Sequence, residues 1–293
     1  MARAMKELET NLQKVDVVLE VRDARVPLSS ANKVLEEKLQ QKRRIVALNK
    51  ADLRYTRMSE STLKHFQDQK HVALFTSAKF NAEQSLEILE VVRRDLSMQR
   101  KFLDSVLLLV LGLPNVGKSA LINALRRSQD KAKVPSSRHV ARMGPNPGVT
   151  RHFAGFRVGT SPSIYVIDSP GVMIPTIEND EVGLRLAATG AIKEEVIGVT
   201  RLADYIYRSC SACLDGLPSL SRQSESINFD EYEDGAGYWL GSSSKSQRRL
   251  LHSFYNSRVD SRERANASQQ LINNFRAGQC GTFFLDADRL RDV

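Results

Sequence analysis

Short, nearly unbroken apolar runs alternate with amphipathic segments over the first two-thirds of the chain. The runs VDVVLEV (15–21), RIVAL (44–48), VALFT (72–76), VLLLVL (106–111) and IYVI (164–167) have strand length and are rich in β-branched residues. Between them lie helical patterns over Ser30–Gln41, Ser59–Gln69, Ala82–Ser97 and Lys118–Arg127. Strands without polar alternation, separated by amphipathic helices, predict a mostly parallel sheet covered on both faces. An N-terminal pattern with Met1, Met5, Leu8 and Leu12 on one stripe predicts a helix that docks on this layer. A basic import presequence is the competing reading of that stretch, and Glu7 and Glu9 count against it. Ligands of open α/β sheets bind beyond the carboxyl ends of the strands, so chemistry is sought there.

After VLLLVL comes Gly112-Leu-Pro114-Asn115-Val116-Gly117-Lys118-Ser119-Ala120, a full GxxxxGK[ST] loop opening a helix. Its backbone N–H groups and the helix dipole suit a polyphosphate. Lys118 is expected to reach the β- and γ-phosphates and Ser119 to coordinate Mg²⁺. RIVAL runs into Asn49-Lys50-Ala51-Asp52, where the Asp52 carboxylate can accept the N1–H and 2-amino group of guanine. Asn49 supports the base edge and the Lys50 stem lies over the ring. Ser77-Ala78-Lys79, after VALFT, supplies a further base-contacting loop. Asp168-Ser-Pro-Gly171 follows IYVI: Asp168 is expected at Mg²⁺ through water, and the Gly171 N–H at the γ-phosphate. Between the phosphate loop and this element, Gly144-Pro-Asn-Pro-Gly-Val-Thr150 suits a switch loop, with Thr150 as second Mg²⁺ ligand. The candidate catalytic set is Lys118, Thr150 and Gly171, and the ligand is GTP or GDP.

The base-reading loops here precede the phosphate loop, the reverse of the usual order. In this order, with VDVVLEVRDARVPLSS (15–30), GLPNVGKSALIN (112–123), GPNPGVTR (144–151), DSPGVMIP (168–175) and INNFRAGQCGTFFLD (272–286), the chain resembles the circularly permuted GTPases of the YlqF/RbgA type, and most closely their mitochondrial ribosome-associated branch. The resemblance implies a circularly permuted P-loop GTPase domain over 1–207 and a mainly helical, rRNA-binding domain over 208–293, with a Ser- and acid-rich excursion at 216–246. It implies a GTPase acting in assembly of the mitochondrial large ribosomal subunit, its partners being rRNA and ribosomal proteins. The chain is expected to be a monomer in the matrix, with peripheral inner-membrane association; plastid and cytoplasm are the competing locations. It also implies that Asn115 holds K⁺, against the plainer reading as a turn residue. Val172 stands where many GTPases carry a water-orienting glutamine. The family's substitute, a histidine in a PGHM-like element, falls just before residue 1. A GTP-gated binder with negligible hydrolysis is therefore the second reading.

The composition supports this picture and narrows the partner. Of 293 residues 41% are hydrophobic, and 43 Lys and Arg oppose 34 Asp and Glu, giving +9. The surplus gathers at Arg126–Arg151, beside the switch loop, and at Lys245–Arg264, which suits phosphate contacts. No apolar run reaches membrane-spanning length. The three cysteines are too few for a disulfide framework, and no zinc set completes the Cys210–Cys213 pair.

Overall fold

A computed structural model describes residues 2–31, 36, 38–40, 42–54, 56–81, 84–98, 105–131, 155–160, 162–168, 177–214, 261–280, 282–286 and 289–290. The chain divides into two compact units, Met1–Asp52 with Leu63–Thr176, and Leu53–Thr62 with Ile177–Val293.

The first unit is built on a six-stranded sheet. Along the chain come α1 (Ala2–Lys14), β1 (Val17–Asp23), β2 (Arg43–Asn49), α2 (Ser59–Asp68, begun in the second unit), β3 (Val72–Phe75), α3 (Leu86–Met98), β4 (Ser105–Leu111), α4 (Lys118–Lys131), β5 (Gly155–Thr160) and β6 (Ser163–Asp168). The strand order is β3-β2-β1-β4-β6-β5, parallel throughout except for β5, which runs antiparallel to β6. The five strands expected from apolar runs are all present, each differing from its run by a residue or two at the ends. The sixth, β5, carries no such signal: GFRVGT has two glycines and pairs at the sheet edge with a register break between Arg157 and Gly159.

Burial on both faces explains the unbroken apolar runs. All seven residues of β1 are buried, as are the last four of β4. Leu8 and Leu12 of α1 are buried too, in line with the docking helix. The exceptions lie on β1, where Glu20 and Arg22 point to one face of a strand that has no water on either side. Arg22 grips Glu20 through two bonds of 2.8 and 3.0 Å, reaches Glu36 at 3.0 Å and donates to the Pro27 carbonyl at 3.1 Å. Arg44, from the adjacent strand, completes the cluster by donating to Glu36 at 2.6 Å. Burial opposes the charge on Arg22, but Glu20 and Glu36 outweigh it and raise the guanidinium above its ordinary pKa.

In the second unit the described elements are helical: α5 (Asp180–Thr189), α6 (Val199–Leu214) and α7 (Ser261–Arg276). Asn179 caps α5 by accepting from the Val182 N–H at 2.9 Å. Arg276 of α7 donates to the Ala187 carbonyl at 2.7 Å, serving the last turn of α5, and pairs with Glu194 at 2.8 Å. Arg185 is buried against Asp286 at 3.2 Å. No described helix is long and apolar enough to cross a membrane.

The Glu20–Arg22 cluster yields a stability prediction. Arg22→Met keeps an unbranched apolar stem but leaves the buried Glu20, and the half-buried Glu36, with less compensation. It is expected to cost about 3 kcal/mol, seen as a lower urea midpoint for loss of far-ultraviolet ellipticity; an unchanged midpoint would contradict the role assigned to the cluster.

Candidate nucleotide site

The carboxyl ends of β1, β2, β3 and β4 lie side by side in the parallel sheet, so the loops that follow them meet although they are far apart in sequence. The ladder continues past the strand ends. Ala24 N–H donates to the Asn49 carbonyl at 2.8 Å, Ala51 N–H to the Thr76 carbonyl at 2.9 Å, and Thr76 N–H to the Leu48 carbonyl at 2.9 Å.

Asn49, only 3% exposed, ties these loops together through its side chain. Its Nδ2 donates to the Val116 carbonyl in the glycine-rich loop at 2.9 Å. Its Oδ1 accepts from the Ala78 N–H at 3.2 Å and from the Thr76 hydroxyl at 3.3 Å. One carboxamide thus bonds to both neighbouring loops at once. Beside it, the Ser77 hydroxyl donates to Asp52 Oδ1, which fixes the carboxylate expected to read guanine. A carboxylate so held keeps lone pairs for further donors. Lys79 is exposed at the rim.

The loop after β4 passes close to its neighbours, and its glycines answer to that. A Cβ at Gly112, whose φ is +148°, would lie 2.3 Å from the Val21 carbonyl oxygen. One at Gly117, φ +96°, would lie 2.2 Å from Asn49 Nδ2. Asn115 takes a left-handed conformation at φ 58°, which asparagine tolerates. Val116 is buried, Ser119 is exposed, and Pro114 and Ala120 are half-buried. Lys118 opens α4 and its ammonium donates to the Gly112 and Leu113 carbonyls at 2.9 and 2.8 Å. The α4 N-terminus, a glycine-lined curl of backbone and a lysine therefore share one place, the arrangement a polyphosphate requires. Asp168 ends β6, opposite Val110 of β4, placing its backbone at the same edge.

Sequence motifs single out Asn49, Lys50, Asp52, Ser77, Ala78, Lys79 and residues 114–120, and the fold brings them together in one unit. Thr150, Gly171 and Val172 lie outside the described residues, as do the rest of the switch loop and most of both basic clusters.

One part of the site carries no motif. Asp23, at the end of β1 and 1% exposed, receives the Lys50 ammonium at 3.0 Å. Arg25 holds the same carboxylate through its Nε at 3.0 Å, its Nη2 at 2.9 Å and its backbone N–H at 3.1 Å. Burial would raise the Asp23 pKa, but Arg25 and then Lys50 outweigh it and hold the carboxyl well below the usual range. In the sequence this shows as Asp and Arg two residues apart in RDAR, inside the stretch 15–30 that also carries the family resemblance.

Comparison with known proteins agrees with the geometry. Residues 107–214 match the family model described as 50S ribosome-binding GTPase. Ribosome biogenesis GTPase A of Bacillus cereus is 33% identical over 218 residues, covering 71% of this chain and 68% of that protein. The chain belongs to this family. It is also similar to Short integuments 2, mitochondrial, of Arabidopsis thaliana (41% over 209 residues, 70% of this chain and 53% of that one) and to mouse Mitochondrial ribosome-associated GTPase 1 (34% over 211 residues, 70% and 63%). The match thus spans about half of the Arabidopsis protein and under two-thirds of the mouse one. Among solved structures, GNP-bound YlqF from T. maritima aligns over 97% of this chain and 99% of its own, with a TM-score of 0.60 at 19% identity, which establishes a shared fold.

The close approach at Gly117 supports a direct test. Gly117→Ala is expected to push Asn49 off the Val116 carbonyl and weaken binding of a fluorescent GDP analogue by at least about a hundredfold, while far-ultraviolet ellipticity is retained. Binding of wild-type strength would mean that the loop does not hold the nucleotide.

Proposed function

We infer that the chain is a GTP-binding and GTP-hydrolysing assembly factor for the large ribosomal subunit of mitochondria, switching its rRNA contacts with nucleotide state. The observation that carries the nucleotide reading is the lacing of the NKxD, SAK and phosphate loops through Asn49, beside a carboxylate, Asp52, fixed by Ser77. That donor and acceptor set suits guanine and rejects adenine, whose edge would leave the carboxylate facing an acceptor. The ribosomal and mitochondrial parts rest on the relatives' names, which include ribosome biogenesis and mitochondrial ribosome association.

In this reading Lys118 contacts the β- and γ-phosphates. The Gly171 N–H senses the γ-phosphate, and residues 114–120 wrap the phosphate chain. Ser119, Thr150 and Asp168 offer hard oxygen ligands, the set Mg²⁺ prefers. Bound there, Mg²⁺ would neutralise charge on the β- and γ-oxygens. Asn115 is assigned to K⁺. Residues 1–207 form the GTPase part and 208–293 the rRNA-contacting part. The protein acts as a monomer in the matrix, with peripheral contact to the inner membrane.

Val172 favours a second reading, a GTP-gated RNA binder with negligible hydrolysis, because an apolar side chain cannot orient the attacking water. Single-turnover hydrolysis with and without mitochondrial large-subunit particles separates the two. The first reading expects stimulation by at least about tenfold, and no stimulated cleavage would leave the binder. Base specificity is tested at Asp52. Asp52→Asn replaces an acceptor by an amide that can donate to the 2-carbonyl of xanthine. It is expected to shift the preference between GDP and xanthosine diphosphate by at least about a hundredfold toward the latter.

A further inference from the structure

The carboxylate at the end of β1 is costly where it stands. It is buried, it is bound by two cations, and no element of the phosphate loop touches it among the contacts described for it. What it does touch is the lysine of the base-reading loop. We propose that Asp23, itself braced by Arg25, is a positioning residue for guanine recognition: it anchors the Lys50 ammonium so that the lysine stem is held ready to cover the face of the base. The inference rests on the reading that Asn49–Asp52 binds guanine, and extends it to a residue outside the base-contacting motifs.

Three observations carry it. Lys50 sits at φ 60°, a left-handed conformation that a long side chain rarely adopts. A residue held there against its preference needs surroundings that over-determine it, and the 3.0 Å pair with Asp23 is one such restraint. Second, Asp23 and Asn49 are register partners at the ends of β1 and β2, and Ala24 N–H bonds to the Asn49 carbonyl at 2.8 Å, so the carboxylate is fixed to the same backbone that sets Lys50. Third, Asp23 is itself immobilised: Arg25 binds both of its oxygens, and its own N–H donates to the Ser30 hydroxyl at 3.2 Å. Lysine loses much rotamer freedom when its stem is fixed, and a ligand that had to order it would bind more weakly by that amount. An anchored ammonium has met this cost before the base arrives.

The face of a purine is the same whether or not it bears a 2-amino group, whereas the edge is not. Asp23 therefore acts on affinity and Asp52 on identity, and this separates the two assignments. Binding of the fluorescent GDP analogue is measured on the full chain, with GDP, inosine diphosphate and xanthosine diphosphate as competitors. Asp23→Asn is expected to weaken GDP and inosine diphosphate alike by about tenfold, leaving their ratio as in the unsubstituted protein. Lys50→Met, which keeps the stem and leaves the Asp23–Arg25 pair whole, is expected to weaken both by a similar factor, and the two substitutions together to cost no more than either alone. If Asp23→Asn does not fold, Asp23→Glu keeps the charge for Arg25 but displaces the carboxylate by one methylene, and the same equal weakening is expected. Affinity unchanged by Lys50→Met, strictly multiplying losses in the double variant, or a changed GDP to inosine diphosphate ratio would each overturn the proposal. Should Asp52→Asn gain xanthosine diphosphate while the Asp23 and Lys50 variants bind like the unsubstituted protein, guanine reading stands and only the anchoring fails. Should Asp52→Asn leave the preference untouched, the base-reading assignment fails, and the proposal with it.

Discussion

The carboxamide of Asn49 is the group on which the nucleotide site converges. It is buried, and each of its polar atoms has a partner in another loop: Val116 in one direction, Ala78 and Thr76 in the other. A buried amide left without partners would cost more than its bonds contribute, so the loops must sit where they do for Asn49 to be tolerated at all. The lack of a side chain at Gly117 is part of the same constraint, because any Cβ there would displace Nδ2. Positioning of the phosphates and reading of the base are thereby one structural problem with one solution.

That solution is indifferent to the order of the loops along the chain. The strands that bear them are parallel neighbours, and their carboxyl ends line one edge whichever strand comes first. What the inverted order changes is which strand opens the sheet. Here β1 precedes the base-reading loop, runs parallel to both β2 and β4, and ends in the RDAR segment. The strand at the centre of the sheet therefore delivers a charged group to the site without carrying a nucleotide motif.

Much of the fold was legible because burial on both faces writes itself as uninterrupted apolar runs, and the observed strands differ from those runs only at their ends. β5 escaped because an antiparallel edge strand needs no such run, and its glycines read as loop. Within the site, Lys118, Asp52 and Ser77 could be read from spacing, since phosphate and guanine chemistry dictate those residue types. The partners of Asn49 could not: Thr76 and Val116 contribute a hydroxyl and a carbonyl whose placement depends on strand register. Asp23 was hidden for the same reason. A carboxylate followed by an arginine at a strand end reads as a solvated turn, and only the β1–β2 register sets it against Lys50.

Two ionic clusters on one strand then ask for different explanations. Glu20, Arg22, Glu36 and Arg44 bond chiefly to one another in the first unit, and among the described residues none of their side-chain bonds goes to the nucleotide loops. Buried ion pairs are often no better for stability than well-packed apolar residues, although removing one partner is costly, so this set accounts for its own charges without reference to a ligand. Asp23 cannot be explained that way. Arg25 alone satisfies both of its oxygens, so structural neutrality is already reached within three residues of chain. The added bond to Lys50 lowers the carboxyl pKa further, but it comes from a residue in a left-handed backbone conformation on the neighbouring base-reading loop. Its effect falls on Lys50, whose ammonium it anchors, and a strand that accepts a third buried charged residue at its carboxyl end accepts it where a ligand is to be met.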